Sequence, residues 1–323
     1  MNPLKPFFDK QGFAMLDGGL STQLELNGAD LSGALWTTRV LIDQPALVVD
    51  AQRQFLEAGA DVIATATYQA STAGLVRAGL GHDEAGRLMR GAVGLAVDAR
   101  DEFWSEPENR AGRLRPLVAA SLGPYGACQH DGSEYHGNYT LDKVALADFH
   151  RPRIEILANC GADLFAFETF PSLLEAEAVI ELLEDFPDIH AWVSFSCRDG
   201  LHVAHGETFA DCAALVESSS QVVAVGVNCL APGIVSLLLE SVRHIEMPLA
   251  VYPNSGEYWN AELQQWMGQA CDSMDVVAWH RLGARLIGGC CRTSAEDIRG
   301  MRSRLEGAIS GSCKSVLEKR NIG

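Results

Sequence analysis

The feature that most constrains the fold is an alternation of eight short apolar runs with longer amphipathic stretches. The runs are Phe13–Leu16, Asp61–Thr65, Pro116–Ser121, Asp163–Phe167, His190–Ser196, Gln221–Asn228, Met247–Tyr252 and Ala284–Gly288. Strands that are apolar on both faces are typical of a parallel sheet covered by helices. Eight βα units in 323 residues therefore predict an α/β fold, a (β/α)8 TIM barrel whose functional residues lie at the C-terminal ends of the strands.

Signals for helix ends support this interpretation. Pro45 and Gly59 bracket a helix over 45–58, since proline favours the first helical position and glycine follows the last. A Gly-Ala pair also precedes the runs that begin near Asp61, Asp163 and Ala284, where a capping glycine leads into a strand. Two capping boxes are predicted, Ser172 with Glu175 and Thr293 with Glu296.

A doubly wound sheet is the rival fold, but no Gly-x-Gly-x-x-Gly follows the first run. No linker rich in Pro, Gly or Ser divides the chain, so we expect a single domain over 1–323. Its core covers about 12–305, and a short C-terminal tail follows.

Composition limits the kinds of binding partner and the cellular compartments that are expected for this chain. The net charge of −17 argues against a nucleic-acid surface or an anionic membrane. No signal peptide and no apolar stretch of ~18 residues is found. Nine cysteines, an odd number, do not suggest a disulfide framework. We expect a cytoplasmic protein with no nucleic-acid or membrane partner.

Three cysteines follow two of the runs. Cys229 comes directly after the sixth run, and Cys290 and Cys291 come after the eighth. In a barrel these thiols lie on one face, which indicates a zinc site with an open fourth position, as in catalytic centres. Successive strand residues point to opposite sides, so Gly288 and Gly289 are expected to supply the backbone freedom that turns the chain. The alternative is a pair of ordinary core cysteines beside a tight turn.

Other reactive residue types also follow the runs. Asp17 and Gly18 come after the first run, Thr65 ends the second, Glu168 follows the fourth and Asn228 ends the sixth. A carboxylate that points into a closed pocket needs a cationic partner, because an unpaired buried charge is unfavourable. Alternatively, Asp17 forms a turn, Glu168 is an acid at a helix entry, and Asn228 satisfies loop backbone. The polar, aromatic segment 123–140 is a candidate lid.

Seven stretches together resemble the homocysteine S-methyltransferase family. They are LDGGLSTQLE (16–25), ATATYQAS (64–71), SLGPYGA (121–127), FETFPS (167–172), VGVNC (225–229), YPNSGE (252–257) and GGCCRT (288–293). GGCC and VGVNC together are highly specific, whereas the other stretches would be weak alone. The similarity runs from about Gly12 to Leu305 and looks closest to short, single-barrel members that use S-methylmethionine or S-adenosylmethionine.

The resemblance implies that Cys229, Cys290 and Cys291 hold zinc, with the homocysteine sulfur as fourth ligand. It also implies that homocysteine is bound near Asp17, Gly18, Thr65, Glu168 and Asn228, with the two acids at its ammonium group. No side chain is expected to act as a catalytic acid or base, because the metal activates the thiolate. Aromatic candidates to face a cationic donor are Trp36, Tyr68, Tyr125 and Phe170.

We therefore expect a methyltransferase that makes methionine from homocysteine and a sulfonium donor. Betaine-using members carry a long C-terminal extension for assembly, and this chain stops soon after the last barrel helix, so a sulfonium donor and a monomer are expected. Three alternatives stay open: a selenocysteine or selenohomocysteine methyltransferase, a zinc hydrolase, and a non-catalytic zinc or thiol redox-sensing barrel.

Overall fold

The computed structural model describes residues 2–31, 36–260, 265–271 and 274–320. Each of the eight predicted runs contains a strand. These strands are β1 (Ala14–Met15), β2 (Val62–Ala64), β3 (Leu117–Leu122), β4 (Leu164–Phe170), β5 (Ala191–Phe195), β6 (Val222–Asn228), β7 (Leu249–Tyr252) and β10 (Ala284–Ile287). Two further strands, β8 (Tyr258–Asn260) and β9 (Gln265–Met267), form a separate hairpin between β7 and β10. The sequence pattern did not predict the hairpin.

The eight strands form one parallel sheet in the order β1-β10-β7-β6-β5-β4-β3-β2. Ala14 of β1 pairs with Leu286 of β10 on one side. On the other side, an isolated parallel bridge joins Leu16 to Val62 of β2. The first strand therefore contacts both of its neighbours and closes the sheet, which confirms the predicted TIM barrel.

Helices connect successive strands around the barrel. They are α1 (Lys5–Gln11), α2 (Leu20–Leu26), α3 (Trp36–Asp43), α4 (Pro45–Ala58), α5 (Thr72–Arg77), α6 (His82–Ser105), α7 (Pro107–Arg110), α8 (Lys143–Leu157), α9 (Leu173–Leu183), α10 (Phe209–Glu217), α11 (Val235–Ser241), α12 (Val276–Arg281) and α13 (Ala295–Arg320). Helix α4 has the predicted bounds, and Gly59 closes it with a left-handed φ of 108°. The expected C-terminal tail is part of α13. No helix in the described ranges combines the length and apolar character needed to cross a membrane.

Both faces of the strands are buried, as their apolar composition predicted. In β4, Leu164 and Ala166 belong to the cluster inside the barrel. Phe165 and Phe167 alternate with them and belong to the larger cluster beneath the helices. Because both faces are covered, all four residues of 164–167 are apolar.

The edge between β1 and β2 is reinforced by a buried carboxylate. Asp61 donates its backbone N–H to the Met15 carbonyl oxygen at 2.7 Å. Its Oδ2 accepts from the Met15 N–H and from the Arg302 guanidinium of α13, each at 3.0 Å. The side chain thus satisfies a strand-end donor and fastens the last helix to the barrel.

The same arrangement recurs two strands later, at Gly161-Ala162-Asp163 just before β4. The Asp163 N–H donates to the Val118 carbonyl oxygen at 2.8 Å. Asp163 Oδ2 accepts from the Val118 N–H at 2.8 Å and from Arg100 at 2.7 Å. The Gly-Ala-Asp echo therefore marks a common carboxylate link between neighbouring strands.

One predicted capping box is displaced by a residue. Thr293 Oγ1 donates to the Cys290 carbonyl oxygen at 2.6 Å instead of capping α13. Ser294 and Asp297 form the reciprocal pair, because the Ser294 N–H donates to Asp297 Oδ2 and the Asp297 N–H donates to Ser294 Oγ. Thr293 is held by the cysteine loop, so the helix takes its cap from the next residue.

In the other predicted capping box, only one of the two reciprocal hydrogen bonds is formed. Ser172 Oγ accepts from the Glu175 N–H at 3.3 Å, as a cap should. The Glu175 carboxylate is fully buried and does not accept a hydrogen bond from the Ser172 N–H, as a complete capping box requires. It accepts instead from the Tyr125 N–H at 2.6 Å and from the Tyr139 hydroxyl. It also contacts His150 Nε2 at 2.9 Å. This acid therefore anchors the segment 123–140 to helices α8 and α9.

We predict that Asp61→Asn lowers the free energy of unfolding by about 3 kcal/mol, because it leaves Arg302 without its buried anion. Asp163→Asn should lower it by about 1.5–3 kcal/mol, since that carboxylate is partly exposed. Urea unfolding followed by circular dichroism measures both values.

Asp9→Asn is the control, because Asp9 forms an exposed pair with Lys5 that contributes at most about 1 kcal/mol. Equal midpoints for Asp61→Asn and Asp9→Asn would show that the carboxylate link does not stabilise the closed barrel.

Candidate metal centre and substrate pocket

Three thiols meet at the C-terminal mouth of the barrel. Cys229 follows β6, and Cys290 and Cys291 follow β10. Their sulfur atoms lie within 4.8 Å of one another, which within the described part of the chain is the one group of three or more potential ligands of this kind. The structure thus brings together the three cysteines that the sequence predicted as ligands.

The spacing of the sulfurs fits a small tetrahedral ion. Cys229 Sγ and Cys291 Sγ are 3.7 Å apart. Zn–S bonds of about 2.3 Å in a tetrahedron place two sulfurs ~3.8 Å apart. Hydrogen bonds from the thiols of Cys290 and Cys291 hold the pKa of Cys229 well below its usual range, and the same hydrogen bonds raise the pKa of Cys290 and of Cys291. The spacing of the three sulfurs therefore shows that the cluster could hold a metal ion.

Strained backbone positions direct these thiols into the pocket. Cys229 and Arg292 have left-handed φ values of 53° and 64°. Such conformations are unfavourable by about 1–3 kcal/mol for residues with a side chain, and they occur mainly at functional sites. Hydrogen bonds hold both turns, since the Cys229 N–H donates to the Tyr252 carbonyl and the Ser255 N–H donates to the Cys291 carbonyl.

The two glycines before Cys290 lie in crowded positions. Neither Gly288 nor Gly289 has a positive φ, so the turn does not use left-handed backbone at these two residues. A Cβ on Gly289 would lie 2.2 Å from Thr293 Oγ1, and one on Gly288 would lie 2.6 Å from Leu16 Cβ. Gly288 has no room for a side chain because the loop packs directly against the end of β1, and Gly289 has none because Thr293 folds back against it.

Gly18, predicted near the substrate, is likewise in a crowded position. A Cβ there would lie 2.7 Å from the Thr293 carbonyl oxygen and 2.8 Å from the Phe55 ring. The missing side chain allows the chain after β1 to pass close to the cysteine loop. Gly18 therefore shapes the pocket by close packing.

Two carboxylates face the same mouth, the buried Asp17 and the half-buried Glu168. Asp17 Oδ2 accepts from the Ala64 N–H at 2.7 Å, and Glu168 accepts from the Ser121 hydroxyl. Burial, together with the nearby Glu168 charge, raises the pKa of Asp17 to about 7, and burial raises the pKa of Glu168 to about 7. A bound cation would oppose both effects, since a nearby positive charge favours the ionised carboxylate.

Thr65 belongs to a hydroxyl chain beneath these acids. Thr67 Oγ1 donates to the Ser121 carbonyl oxygen at 2.7 Å, so the 2.6 Å contact between Thr65 and Thr67 places the proton on Thr65 Oγ1. Thr65 Oγ1 also accepts from the Ser121 N–H at 3.0 Å. Its hydrogen bonds are thus used to position Ser121, which in turn contacts Glu168.

Asn228 holds the turn that carries Glu168. Its Oδ1 accepts from the Thr169 N–H at 2.8 Å and from Ser194 Oγ at 2.9 Å, and its Nδ2 donates to Thr169 Oγ1 at 2.8 Å. Thr169 has a left-handed φ of 65°. These contacts fit the alternative of a backbone-satisfying asparagine, which here orients the residue next to Glu168.

Sequence reasoning missed Tyr252, at the end of β7. Its hydroxyl accepts from Trp192 Nε1 at 2.9 Å and contacts Ser194 Oγ. It also forms a hydrogen bond that lowers the pKa of Glu168 against the effect of burial. Its position at the end of the seventh run could have marked it as a residue of the barrel mouth.

The candidate lid, segment 123–140, packs against the ends of β4 to β6. Two short 3-10 helices, Gly126–Gln129 and Ser133–Tyr135, shape it. Ser196 Oγ donates to the Glu134 carbonyl oxygen at 2.8 Å, and the Tyr135 hydroxyl lies 3.3 Å from Cys229 Sγ. The segment therefore adds two residues to the mouth that the sequence did not single out; its movement as a lid stays a prediction.

Of the aromatic candidates, Tyr68 stands at the site. It hydrogen-bonds Thr169, and the acids and Cys229 together with burial raise its pKa. Tyr125 instead stacks edge-on against Tyr139 with ring centroids 5.1 Å apart, and Phe170 is fully buried. The side chain of Trp36 lies outside the described residues.

Comparison with known proteins gives a consistent result. The family model described as homocysteine S-methyltransferase matches residues 14–305. Homocysteine S-methyltransferase YbgG of Bacillus subtilis is 45% identical over 93% of this chain and 96% of its own length. Homocysteine S-methyltransferase 1 of Zea mays is 45% identical over 92% of this chain and 95% of its own.

A solved structure agrees with the sequence relatives. The metallated form of the homocysteine methyltransferase MmuM from Escherichia coli superimposes with a TM-score of 0.85 at 41% identity, and the match covers 94% of this chain and all of that one. The family model, which matches residues 14–305, spans the barrel strands and both cysteine loops. The chain belongs to the homocysteine S-methyltransferase family.

Proposed function

We propose that this methyltransferase moves a methyl group from a sulfonium donor, S-methylmethionine or S-adenosylmethionine, to homocysteine, giving methionine. A zinc ion held by Cys229, Cys290 and Cys291 is the proposed cofactor. One observation carries the proposal: three convergent thiols share the barrel mouth with two carboxylates, the buried Asp17 and the half-buried Glu168. Family membership supports methyl transfer as the reaction class.

The carboxylates supply the recognition of homocysteine. Asp17 and Glu168 are aimed at the mouth from β1 and β4, and their charge suits the ammonium group of an amino acid. Thr65 acts through Ser121, and Asn228 acts through Thr169, to hold the Glu168 side chain in place. Zinc would supply the positive charge that keeps the homocysteine sulfur as a thiolate, whereas a free thiol with a pKa near ~8.5 is mostly protonated at pH 7.

The chemical step needs no proton transfer by the protein. The thiolate sulfur attacks the methyl carbon, a new C–S bond forms, and the bond to the sulfonium sulfur breaks with its electron pair. The donor leaves as a neutral sulfide. The chain therefore contributes orientation and exclusion of water, and the segment 123–140 is placed to provide both.

The alternatives differ in what they require of this site. A zinc hydrolase needs a good Lewis acid, which three anionic thiolates do not favour. A selenol acceptor would fit the same geometry and stays open. Family membership argues against the non-catalytic sensor, and the cytoplasmic, monomeric state stays a prediction.

The donor is identified by measuring methionine formation from homocysteine with S-methylmethionine, S-adenosylmethionine and betaine in parallel. We expect turnover with at least one sulfonium donor and none with betaine. Selenohomocysteine in place of homocysteine tests the alternative acceptor. Absence of turnover with both sulfonium donors would refute the proposed function.

Removal of the metal should abolish activity and leave the barrel folded, because the three cysteines lie on loops above a core that they do not hold together. We expect one zinc per chain by metal analysis, and a far-ultraviolet circular dichroism spectrum unchanged by chelation. Cys271→Ala is the control, since this exposed cysteine lies outside the cluster. A chain that unfolds on chelation would make the metal structural.

Glu168→Gln should weaken homocysteine binding about ten- to a hundredfold, the effect of losing one charge-assisted contact of about 1.5–3 kcal/mol. Zinc content should not change. Calorimetric titration with homocysteine gives the dissociation constant, and Glu257→Gln serves as a control at the rim of the pocket, where the charge is paired with Arg292. Unchanged affinity with a lower unfolding temperature would make Glu168 a structural acid.

A further inference from the structure

Glu134 is a buried acid that the mechanism above leaves unused. Its side chain is 7% exposed, and its Oε2 has no hydrogen-bond partner among the described residues. The backbone at this point is fixed, since the Glu134 carbonyl accepts from Ser196 Oγ at 2.8 Å. An unpaired carboxylate oxygen held in this way is energetically unfavourable, which indicates that it awaits a partner.

Glu134 lies on the segment 123–140, next to the residue that reaches the thiol cluster. Burial raises the pKa of Glu134, and the charge of Cys229 adds to this effect. Burial likewise raises the pKa of Tyr68, and the charge of Glu134 adds to it. The neighbouring Tyr135 hydroxyl lies 3.3 Å from Cys229 Sγ. Glu134 thus stands beside the place where the acceptor sulfur would be, on a different element from Asp17 and Glu168.

We infer that Glu134 binds the sulfonium centre of the methyl donor. The inference rests on the proposed function, in which a second cation must approach the acceptor sulfur. The ammonium of homocysteine has two acids of its own, so a third acid beside Cys229 is left for the donor. A sulfonium carries no N–H or O–H, so it interacts with a carboxylate through its charge and not through a hydrogen bond. Glu134 Oε2 has no hydrogen bond that such a contact would break. The face of the Tyr68 ring also attracts cations.

This placement has a kinetic signature. The sulfonium bears its full positive charge before transfer, whereas the charge is partly neutralised in the transition state. Glu134 therefore stabilises bound donor at least as much as the transition state, and its loss should raise the KM for donor more than it lowers kcat. After transfer the sulfide is neutral, so the attraction ends and the product can leave.

The test compares two ligands that differ in charge alone at this centre. S-methylmethionine and 2-amino-5-methylhexanoic acid, in which a CH group replaces the sulfonium sulfur, are titrated calorimetrically into the zinc-loaded wild type and Glu134→Gln. We expect the wild type to prefer the sulfonium, and Glu134→Gln to lose about tenfold in sulfonium affinity while its affinity for the carbon isostere changes less than about twofold.

Two further variants complete the experiment. Asp131→Asn removes an exposed charge from the same segment and should leave the preference unchanged. Glu134→Asp keeps the charge and should recover part of the preference, which also covers the case in which the glutamine variant folds poorly by circular dichroism and zinc content.

Three results would overturn the inference. An equal loss of affinity for both ligands would show that Glu134 shapes the pocket without sensing charge. Weaker binding of homocysteine with unchanged donor binding would assign it to the ammonium group. Equal affinity of the wild type for the sulfonium and for the carbon isostere would show that the site does not recognise the sulfonium charge. Absence of turnover in the donor assay is a separate outcome, because it tests the reaction and not this binding preference.

Discussion

Closure of the sheet through β1 is the constraint on which the site depends. This strand has two residues, yet it pairs with β10 and bridges to β2. Asp17, two residues further, continues the closure on both sides. Its carbonyl oxygen accepts from the Gly289 N–H at 3.0 Å, and its carboxylate accepts from the Ala64 N–H at 2.7 Å. The residue expected to bind substrate is therefore also part of the seam, and the cysteine loop is positioned by the same contacts.

Negative charge is concentrated at the mouth that this closure creates. Burial disfavours the ionisation of Asp17, Glu168 and Glu134. The charge of Glu168 adds to this effect at Asp17, and the charge of Cys229 adds to it at Glu168 and Glu134. Such a site is unfavourable when empty and favourable when cations fill it. Binding of a metal ion and of cationic substrates should consequently stabilise the folded chain as well as prepare the reaction, because any ligand that binds only the folded state shifts the folding equilibrium.

The sequence was informative where the structure depends on local pattern. Eight apolar runs predicted the strands because parallel strands are buried on both faces, and Cys229 with Cys290 and Cys291 could be paired because strand ends share one face of a barrel. It was less informative where distant contacts decide. The cap of α13 moved from Thr293 to Ser294 because the cysteine loop binds Thr293, and both residues have an acid three positions later.

The same limit applies to residues whose partners come from other parts of the chain. Gly288 is required by the close approach of the end of β1, which no local rule reveals. Glu175 looked like half of a capping box, but its carboxylate is taken by Tyr125, Tyr139 and His150. Glu134 lies in an irregular segment without periodicity, so its burial could be recognised only from the packed structure.

The separation of the cysteines along the chain has a consequence for biosynthesis. Cys229 emerges from the ribosome with β6, but its two partners follow β10, the last strand of the barrel. A nascent chain that has made six or seven strands holds one member of the cluster and has no closed sheet to align it. The three thiols are therefore brought together only when β10 pairs with β1 and β7. If they hold the proposed metal, they can do so only once the barrel is complete, and unfinished chains are left without the site.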